Sequence, residues 1–223
     1  MMSSPASTVR VLVVDDHPIV RYGLERLIAG EADLVVCGEA VDAPSALDAL
    51  ATTSPDVIVV DITLGATSGI DLIRDIKQRA PAVRVLVVSI HDELLYAERA
   101  LRAGAVGYVM KHEAVDKMVR AIRTVASGGM FLSEDVSNRL VQRATSSAAP
   151  LPASPLEALT DRELHVLQLL GRGLGTRAIA EQLHVSIKTI ESYRARLKDK
   201  MKLRSGTELV RFAVQWAEDK GQA

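Results

Sequence analysis

Three aspartates, a serine and a lysine stand where they can act together. Asp15 and Asp16 follow an apolar run at Val9–Val14, and Asp61 follows another at Val57–Val60. Ser89 follows a third at Val83–Val88, and Lys111 a fourth at Val106–Met110. Three carboxylates brought close repel one another, and like charge raises their pKa values unless a cation neutralises them. A hard divalent ion such as Mg2+, held by one or two carboxylates, water and a phosphoryl oxygen, meets that demand. The Lys111 ammonium adds a point charge and the Ser89 hydroxyl a donor, both suited to a transferred phosphoryl group. Phosphoryl transfer depends mainly on positioning and charge neutralisation. Asp61 is the candidate nucleophile, since an aspartate can form an acyl phosphate. Singly, each of these residues would read as a turn former, a cap or a solvated charge. The set, in order at successive run ends, points to chemistry.

For these side chains to meet, the runs must be neighbouring strands of one sheet. Together with Leu34–Cys37 they make five, all short, rich in Val and Ile, and mostly without alternation, as strands covered on both faces should be. Helical patterns lie between and after them, near Pro18–Ala29, Pro44–Thr53, Ile70–Arg79, Glu93–Ala103 and Ala114–Ser127. Asp42 occupies an N-cap position just ahead of Pro44. Five strands, each followed by a helix, predict an α/β doubly wound parallel sheet. The ligand crevice of such a sheet lies beyond the carboxyl ends of its strands, where the strand order reverses. Cys37, inside a strand run, reads as a small buried hydrophobe.

A seam runs from Arg143 to Pro155, with three prolines, several Ser and Ala, and Leu151 as its one large apolar residue. It reads as an extended linker. Beyond it no strand-like run follows. Four helical segments do, at Asp161–Leu170, Thr176–Leu183, Ile187–Met201 and Gly206–Ala217, with Thr160 and Glu163 spaced as a capping box. Formal charge is −4 over residues 1–154 and +3 over 155–223, and Ser186–Arg204 alone carries +5. An acidic half suits a cation or a signal, and a half with a basic helix suits a polyanion. In the stretch from Thr176 to Met201 a helix, a tight break at His184–Ser186 and a second helix follow one another. Ser186 can cap the second helix, and Ala180, Leu183, Val185, Ile190 and Leu197 form an apolar lock between the two. Lys188, Ser192, Arg196 and Lys198 to Lys202 face outward, a helix-turn-helix arrangement for double-stranded DNA. The last helix is apolar on more than one face, through Leu209, Val210, Phe212, Ala213, Val214, Trp216 and Ala217, and the surplus points to a partner surface.

Composition narrows the class further. At 48% hydrophobic and 25% charged residues over 223 positions, the chain is expected to be globular, with two modest domains. No apolar stretch is long enough for a membrane span, the N-terminus lacks a signal-peptide pattern, and one cysteine excludes an intramolecular disulfide. The expectation is a cytoplasmic protein without a membrane partner.

The motifs LVVDDHPIVRYGL, VIVVDITLGATSGIDLI, VLVVSIHD and GAVGYVMK resemble the receiver domain of bacterial two-component response regulators. LTDRE and GLGTRAIAEQLHVSIKTIESYRARLKDKMKLRS resemble the LuxR-type helix-turn-helix domain. Together they resemble the NarL/FixJ class over nearly the whole chain. The resemblance implies a flavodoxin-like (βα)5 receiver at 9–128, a short helix and linker at 129–154, and a four-helix DNA-binding domain at 155–220. It implies phosphorylation of Asp61 by a cognate histidine kinase. It also implies Mg2+ held by Asp16, Asp61 and the Thr63 carbonyl, with Asp15 acting through water. Ser89 would swing to the phosphoryl oxygen, Tyr108 would rotate inward behind it, and Lys111 would pair with the phosphoryl charge. Lys188, Glu191, Ser192 and Ala195 would lie nearest the bases of promoter DNA, with Thr189, Arg194 and Arg196 nearer its backbone. A homodimer forming on phosphorylation or on DNA is implied as well. Thr176 and Tyr193 replace the usual asparagine and histidine, which puts phosphate contacts there in question.

Two further departures are Gly65, where proline is usual, and His112, where proline usually follows the lysine. The second implies a less rigidly held Lys111. His17 is expected to begin the first helix, and His91 to face solvent over the site, where it would tune phosphate loss. Against a phosphorylation-controlled, non-enzymatic regulator stand two rivals. An aspartate-nucleophile phosphatase normally has a second aspartate two residues past the nucleophile, where this chain has Thr63. A constitutive DNA-binding protein with its receiver as a scaffold is left open by Gly65 and His112 but opposed by the acid pair and Lys111.

Overall fold

The Val-rich runs become β1 (Val9–Val14), β2 (Leu34–Ala40) and β3 (Val57–Val60), then, past a two-residue hairpin of β4 (Thr63–Leu64) and β5 (Thr67–Ser68), β6 (Arg84–Ser89) and β7 (Gly107–Met110). The computed structural model describes residues 8–65, 67–113, 115–145 and 155–221. Its main sheet is wholly parallel, in the order β2-β1-β3-β6-β7. The chain steps outward from β1 to β2 and then crosses to β3 on the other side, so the order reverses between β1 and β3. Asp15, Asp16 and Asp61 therefore leave adjacent strands at the switch point.

Helices α1 (Pro18–Ala29), α2 (Ala43–Thr53), α3 (Gly69–Arg79), α4 (Glu93–Ala103) and α5 (Val115–Ala126) cover the sheet. Val11, Val13, Val57, Val59, Leu86 and Val88 pack with Ile28 of α1 and Ile122 and Val125 of α5. The alternate residues Leu12, Ile58, Val85 and Val87 are also fully buried, so both faces are covered, as the unbroken apolar runs require. At roughly 1.5–3 kcal/mol per buried Val, Leu or Ile, this core holds the strand ends in fixed relation. Asp42 caps α2 reciprocally with Ser45.

Two local readings need correction. β2 runs on to Ala40, because Gly38 and Glu39 break the apolar pattern but still pair with β1. Cys37 is only partly buried. The register skips it, with Val11 opposite Val36 and Leu12 opposite Gly38, so it is the extra residue of a bulge on the edge strand.

After α5 the chain returns to the sheet. Phe131 bridges Gly107 in parallel, accepting the Tyr108 N–H at 2.8 Å and donating to the Val106 carbonyl at 3.1 Å. Helix α6 (Glu134–Thr145) follows and packs on α4. The short helix expected in 129–154 falls here. Residues 146–154 of the expected linker lie outside the described residues.

The chain divides into two compact units between residues 146 and 147. The second begins with a 3-10 turn at Pro155–Ala158, followed by α7 (Asp161–Gly171), α8 (Thr176–Gln182), α9 (Ile187–Met201) and α10 (Gly206–Gly221). Thr160 and Glu163 form the capping box of α7. Among the described residues, no helix is long and apolar enough to cross a membrane.

Candidate functional site

Beyond the switch point, ligand atoms of Asp15, Asp16, His17 and Asp61 all lie within 4.8 Å of one another. Asp61 is 2% exposed. Lys111 reaches in from the end of β7, its Nζ 2.6 Å from Asp15 Oδ2 and 2.7 Å from Asp61 Oδ2. The ammonium thus has two carboxylate partners despite His112. Its backbone is fixed too, since the Lys111 N–H donates to the Ser89 carbonyl at 2.8 Å.

Burial raises the Asp61 pKa above the ordinary aspartate value, with Lys111 opposing and Asp15 reinforcing the shift. For Lys111 burial acts to lower the pKa, but the attraction of Asp61 and Asp15 outweighs it and the pKa is raised. Asp61 Oδ1 is buried without a hydrogen-bond partner, and so is Asp16 Oδ1. A buried carboxylate oxygen left so is costly. These orphaned oxygens, beside three carboxylates against one ammonium, form a hard-oxygen donor set that fits a divalent cation.

Local sequence explains how each group is held. His17 is the N-cap of α1, as expected, and its N–H donates to Asp15 Oδ1 at 2.9 Å. Its Nδ1 lies 2.7 Å from Asp16 Oδ1, although without hydrogen-bond geometry. The Gly65 N–H donates to Asp16 Oδ2 at 2.8 Å. Proline at that position would have no donor to offer. Thr63 is half-buried in β4. Ser89 is fully buried at the end of β6, its Oγ accepting the His91 N–H at 3.2 Å. Tyr108 lies inward, 2% exposed, and burial pushes its hydroxyl pKa well up.

His91 does not face solvent. It is 5% exposed, with Nε2 2.8 Å from Thr63 Oγ1 and its ring on Tyr96. In the β6–α4 turn Ile90 takes the exposed position instead. Gly69 is a further residue that the sequence reading passes over. A Cβ there would stand 1.9 Å from the Asp61 carbonyl oxygen, so only glycine lets α3 begin against the Asp61 backbone. Its signal in the sequence was the glycine eight positions after Asp61, within TSGID.

In the second unit, α8 and α9 join through a turn at His184, whose φ is +53°. Ser186 caps α9 by accepting the Thr189 N–H. Ala180, Leu183, Ile190 and Leu197 are buried between the helices, while Val185 is only partly so. Lys188, Glu191, Ser192 and Ala195 are all exposed, at the spacing of one helix stripe, and Arg196 is exposed as well. Thr189, Tyr193 and Arg194 are half-buried. Arg194 Nη1 donates to Thr176 Oγ1 at 2.6 Å, tying α9 to the start of α8. Lys200 is exposed, as expected of the outward-facing basic set, yet it is not free. Its Nζ lies 2.6 Å from Glu163 Oε2 and 3.0 Å from the Ala158 carbonyl, neutralising a buried carboxylate. On α10, Leu209 and Ala213 are fully buried, Val210 is exposed, and Phe212, Val214, Trp216 and Ala217 are half-buried.

Comparison with known proteins agrees with both units. The family model of the response regulator receiver domain matches residues 11–123, and that of bacterial regulatory proteins of the luxR family matches 157–213. The transcriptional regulatory protein DegU of Brevibacillus brevis is 33% identical over 215 residues, 91% of each chain. The response regulator UvrY of Escherichia coli K12 is 32% identical over 208 residues, 93% of this chain and 94% of its own. A LuxR-family two-component response regulator from Aurantimonas superposes with a TM-score of 0.58 at 37% identity, over 63% of this chain and all of its own. The response regulator RcsB, in a complex with DNA, superposes with a TM-score of 0.56 at 25% identity, over 92% of this chain and 98% of its own.

Proposed function

The chain belongs to the NarL/FixJ class of two-component response regulators, transcription regulators with a receiver and a LuxR-type DNA-binding domain, and on that premise we propose that phosphorylation of Asp61 by a partner histidine kinase controls its binding to promoter DNA. Residues 9–128 accept the phosphoryl group, 129–154 connect, and 155–220 bind DNA. The observation that carries the reading is Asp61 itself: a buried carboxylate with Oδ2 on Lys111 and Oδ1 without a partner.

Asp61 attacks phosphorus of the donor phosphohistidine. The new P–O bond forms as the P–N bond breaks, and the imidazole leaves to take up a proton. Lys111 holds Asp61 in place beforehand and compensates the phosphoryl charge afterward. Asp16, Asp61 and the Thr63 carbonyl would hold Mg2+, with Asp15 beside them through water. When bound, that ion supplies charge neutralisation at the phosphoryl oxygens. Ser89 reads the phosphoryl group by offering its hydroxyl, and Tyr108 responds behind it.

On DNA, α9 enters the major groove. The stripe Lys188, Glu191, Ser192 and Ala195 faces the bases, and Arg196 faces phosphate. Thr189, Tyr193, Arg194 and Thr176 flank this stripe toward the backbone. RcsB has been solved as two dimers bound to two DNAs, and a homodimer on paired half-sites fits the exposed Val210 on α10. With Mg2+ and a small phosphodonor, wild type should gain one base-labile phosphoryl group and bind promoter DNA more tightly. Asp61→Asn should gain none, and labelling that persisted in it would place the nucleophile elsewhere.

A further inference from the structure

Thr63, Ser89, Tyr96 and Tyr108 come from four different elements and converge on one residue. The His91 imidazole reaches from the β6–α4 turn to Thr63, two residues past Asp61, with Nε2 2.8 Å from Thr63 Oγ1. Its backbone is engaged twice. The N–H donates to Ser89 Oγ at 3.2 Å, and the carbonyl accepts the Tyr108 hydroxyl at 2.8 Å. The ring of Tyr96 on α4 lies against the imidazole, with centroids 4.8 Å apart at 34°.

Ser89, His91, Tyr96 and Tyr108 are buried and Thr63 is half-buried, so on the His91 side solvent does not stand ready to replace a broken bond. A buried polar group that loses its partner bears its full desolvation cost, and the bonds of such a network strengthen one another, so keeping them together is favoured over breaking one alone. A shift of Thr63 therefore carries the imidazole with it. Because the same residue's carbonyl holds the Tyr108 hydroxyl, the shift reaches Tyr108 without passing through the Ser89 hydroxyl.

We propose that His91 is a positioning residue that couples the Asp61 loop to Tyr108, a second link beside that of Ser89. The coupling rests on the reading of Asp61 as the phosphorylated residue, whereas the tie itself does not.

The test uses the full chain as wild type, His91→Phe and His91→Gln. Phe keeps a ring against Tyr96 but has no Nε2, and Gln restores a side-chain group able to bond Thr63 Oγ1. Without phosphodonor, amide exchange in peptides over 89–97 and 107–111 should run roughly fivefold faster in His91→Phe, the effect of one hydrogen bond of ordinary net strength. It should return toward wild type in His91→Gln. Thr63→Val removes the same bond from the other side, and combining it with His91→Phe should add nothing further. Equal exchange in all variants, or no rescue by Gln, would overturn the tie. With Mg2+ and a small phosphodonor, His91→Phe should still gain a phosphoryl group by mass yet dimerise less than wild type, with Gln again restoring the response. Full dimerisation of phosphorylated His91→Phe would overturn the coupling. If wild type itself gained no phosphoryl group, the functional reading and the coupling would fall together, while the exchange comparison would still decide the tie.

Discussion

Lys111 and Arg196 are both cations placed to meet anionic oxygen, in opposite surroundings. The Lys111 side chain is 10% exposed and lies within 2.7 Å of two buried carboxylates, whereas Arg196 stands exposed on α9. In the first unit charge is concentrated by burial, so each group alters the protonation and the stability of its neighbours. On α9 the charges are spread along solvent, where pairing is weak and screened by salt. The first arrangement can store and report a chemical event. The second can meet a long polyanion without being rebuilt. The difference teaches that substitutions in the pocket should change folding and chemistry together, while those on α9 should change affinity alone.

The sharpest way to break this comparison is Gly69→Ala. The added Cβ would collide with the Asp61 carbonyl oxygen, a backbone atom that cannot swing aside. A loss of about 3 kcal/mol of receiver stability is expected, as for overpacking in a rigid site, with slower phosphoryl uptake. Chemical denaturation and phosphodonor labelling read the two effects. An Ala variant of wild-type stability would show that the Asp61 loop yields easily.

Mg2+ should come next in size. At one hundred times its dissociation constant, an ion bound only by the folded state adds about 2.7 kcal/mol. Thermal denaturation of wild type should therefore shift upward with Mg2+. Asp16→Ala, which removes a carboxylate aimed at the cluster, should shift much less.

Asp61→Asn should raise stability at neutral pH when Mg2+ is left out. Because the folded-state pKa lies above the ordinary aspartate value, folded protein binds more protons than unfolded protein between that value and the raised one. Ionised Asp61 therefore costs stability above this window, and the cost is relieved as pH falls through it. Denaturation midpoints of the two proteins should converge as the pH is lowered into the window, and a constant gap would refute the sign.

The smallest effect on folding is expected on α9. Arg196→Ala should change stability by less than about 0.5 kcal/mol, as exposed substitutions do. Its DNA affinity should nevertheless fall about equally on all sequences, with the salt slope flattened by ~1. Lys188→Ala, at the start of the helix, should also lose ~1–3 kcal/mol of discrimination at one base position. Titrations at several salt concentrations check both, and an unchanged slope in both variants would take α9 out of the groove.

Much of this was legible because it is local. Val11–Val14 and Val57–Val60 are strand segments covered on both faces, and their unbroken apolar runs say so within four residues. Asp42 with Ser45, Thr160 with Glu163, and Ser186 are caps whose partners lie three residues away. The acidic cluster was legible for a related reason. A parallel sheet brings its carboxyl ends together whatever its details, so residues at run ends become neighbours by topology. What the tertiary structure alone decided concerns partners far apart in the chain whose meeting no pattern announces. Lys200, an exposed basic residue of α9, serves also as the counter-ion of buried Glu163. Cys37 fell on a bulge set by the register of the neighbouring strand. His91 went inward to Thr63, and Gly69 was pressed against the Asp61 carbonyl. A helix or strand is specified by periodic side chains and short-range hydrogen bonds, which a sequence carries in order. Burial of a single side chain depends on what packs against it, and that is fixed only when distant segments meet.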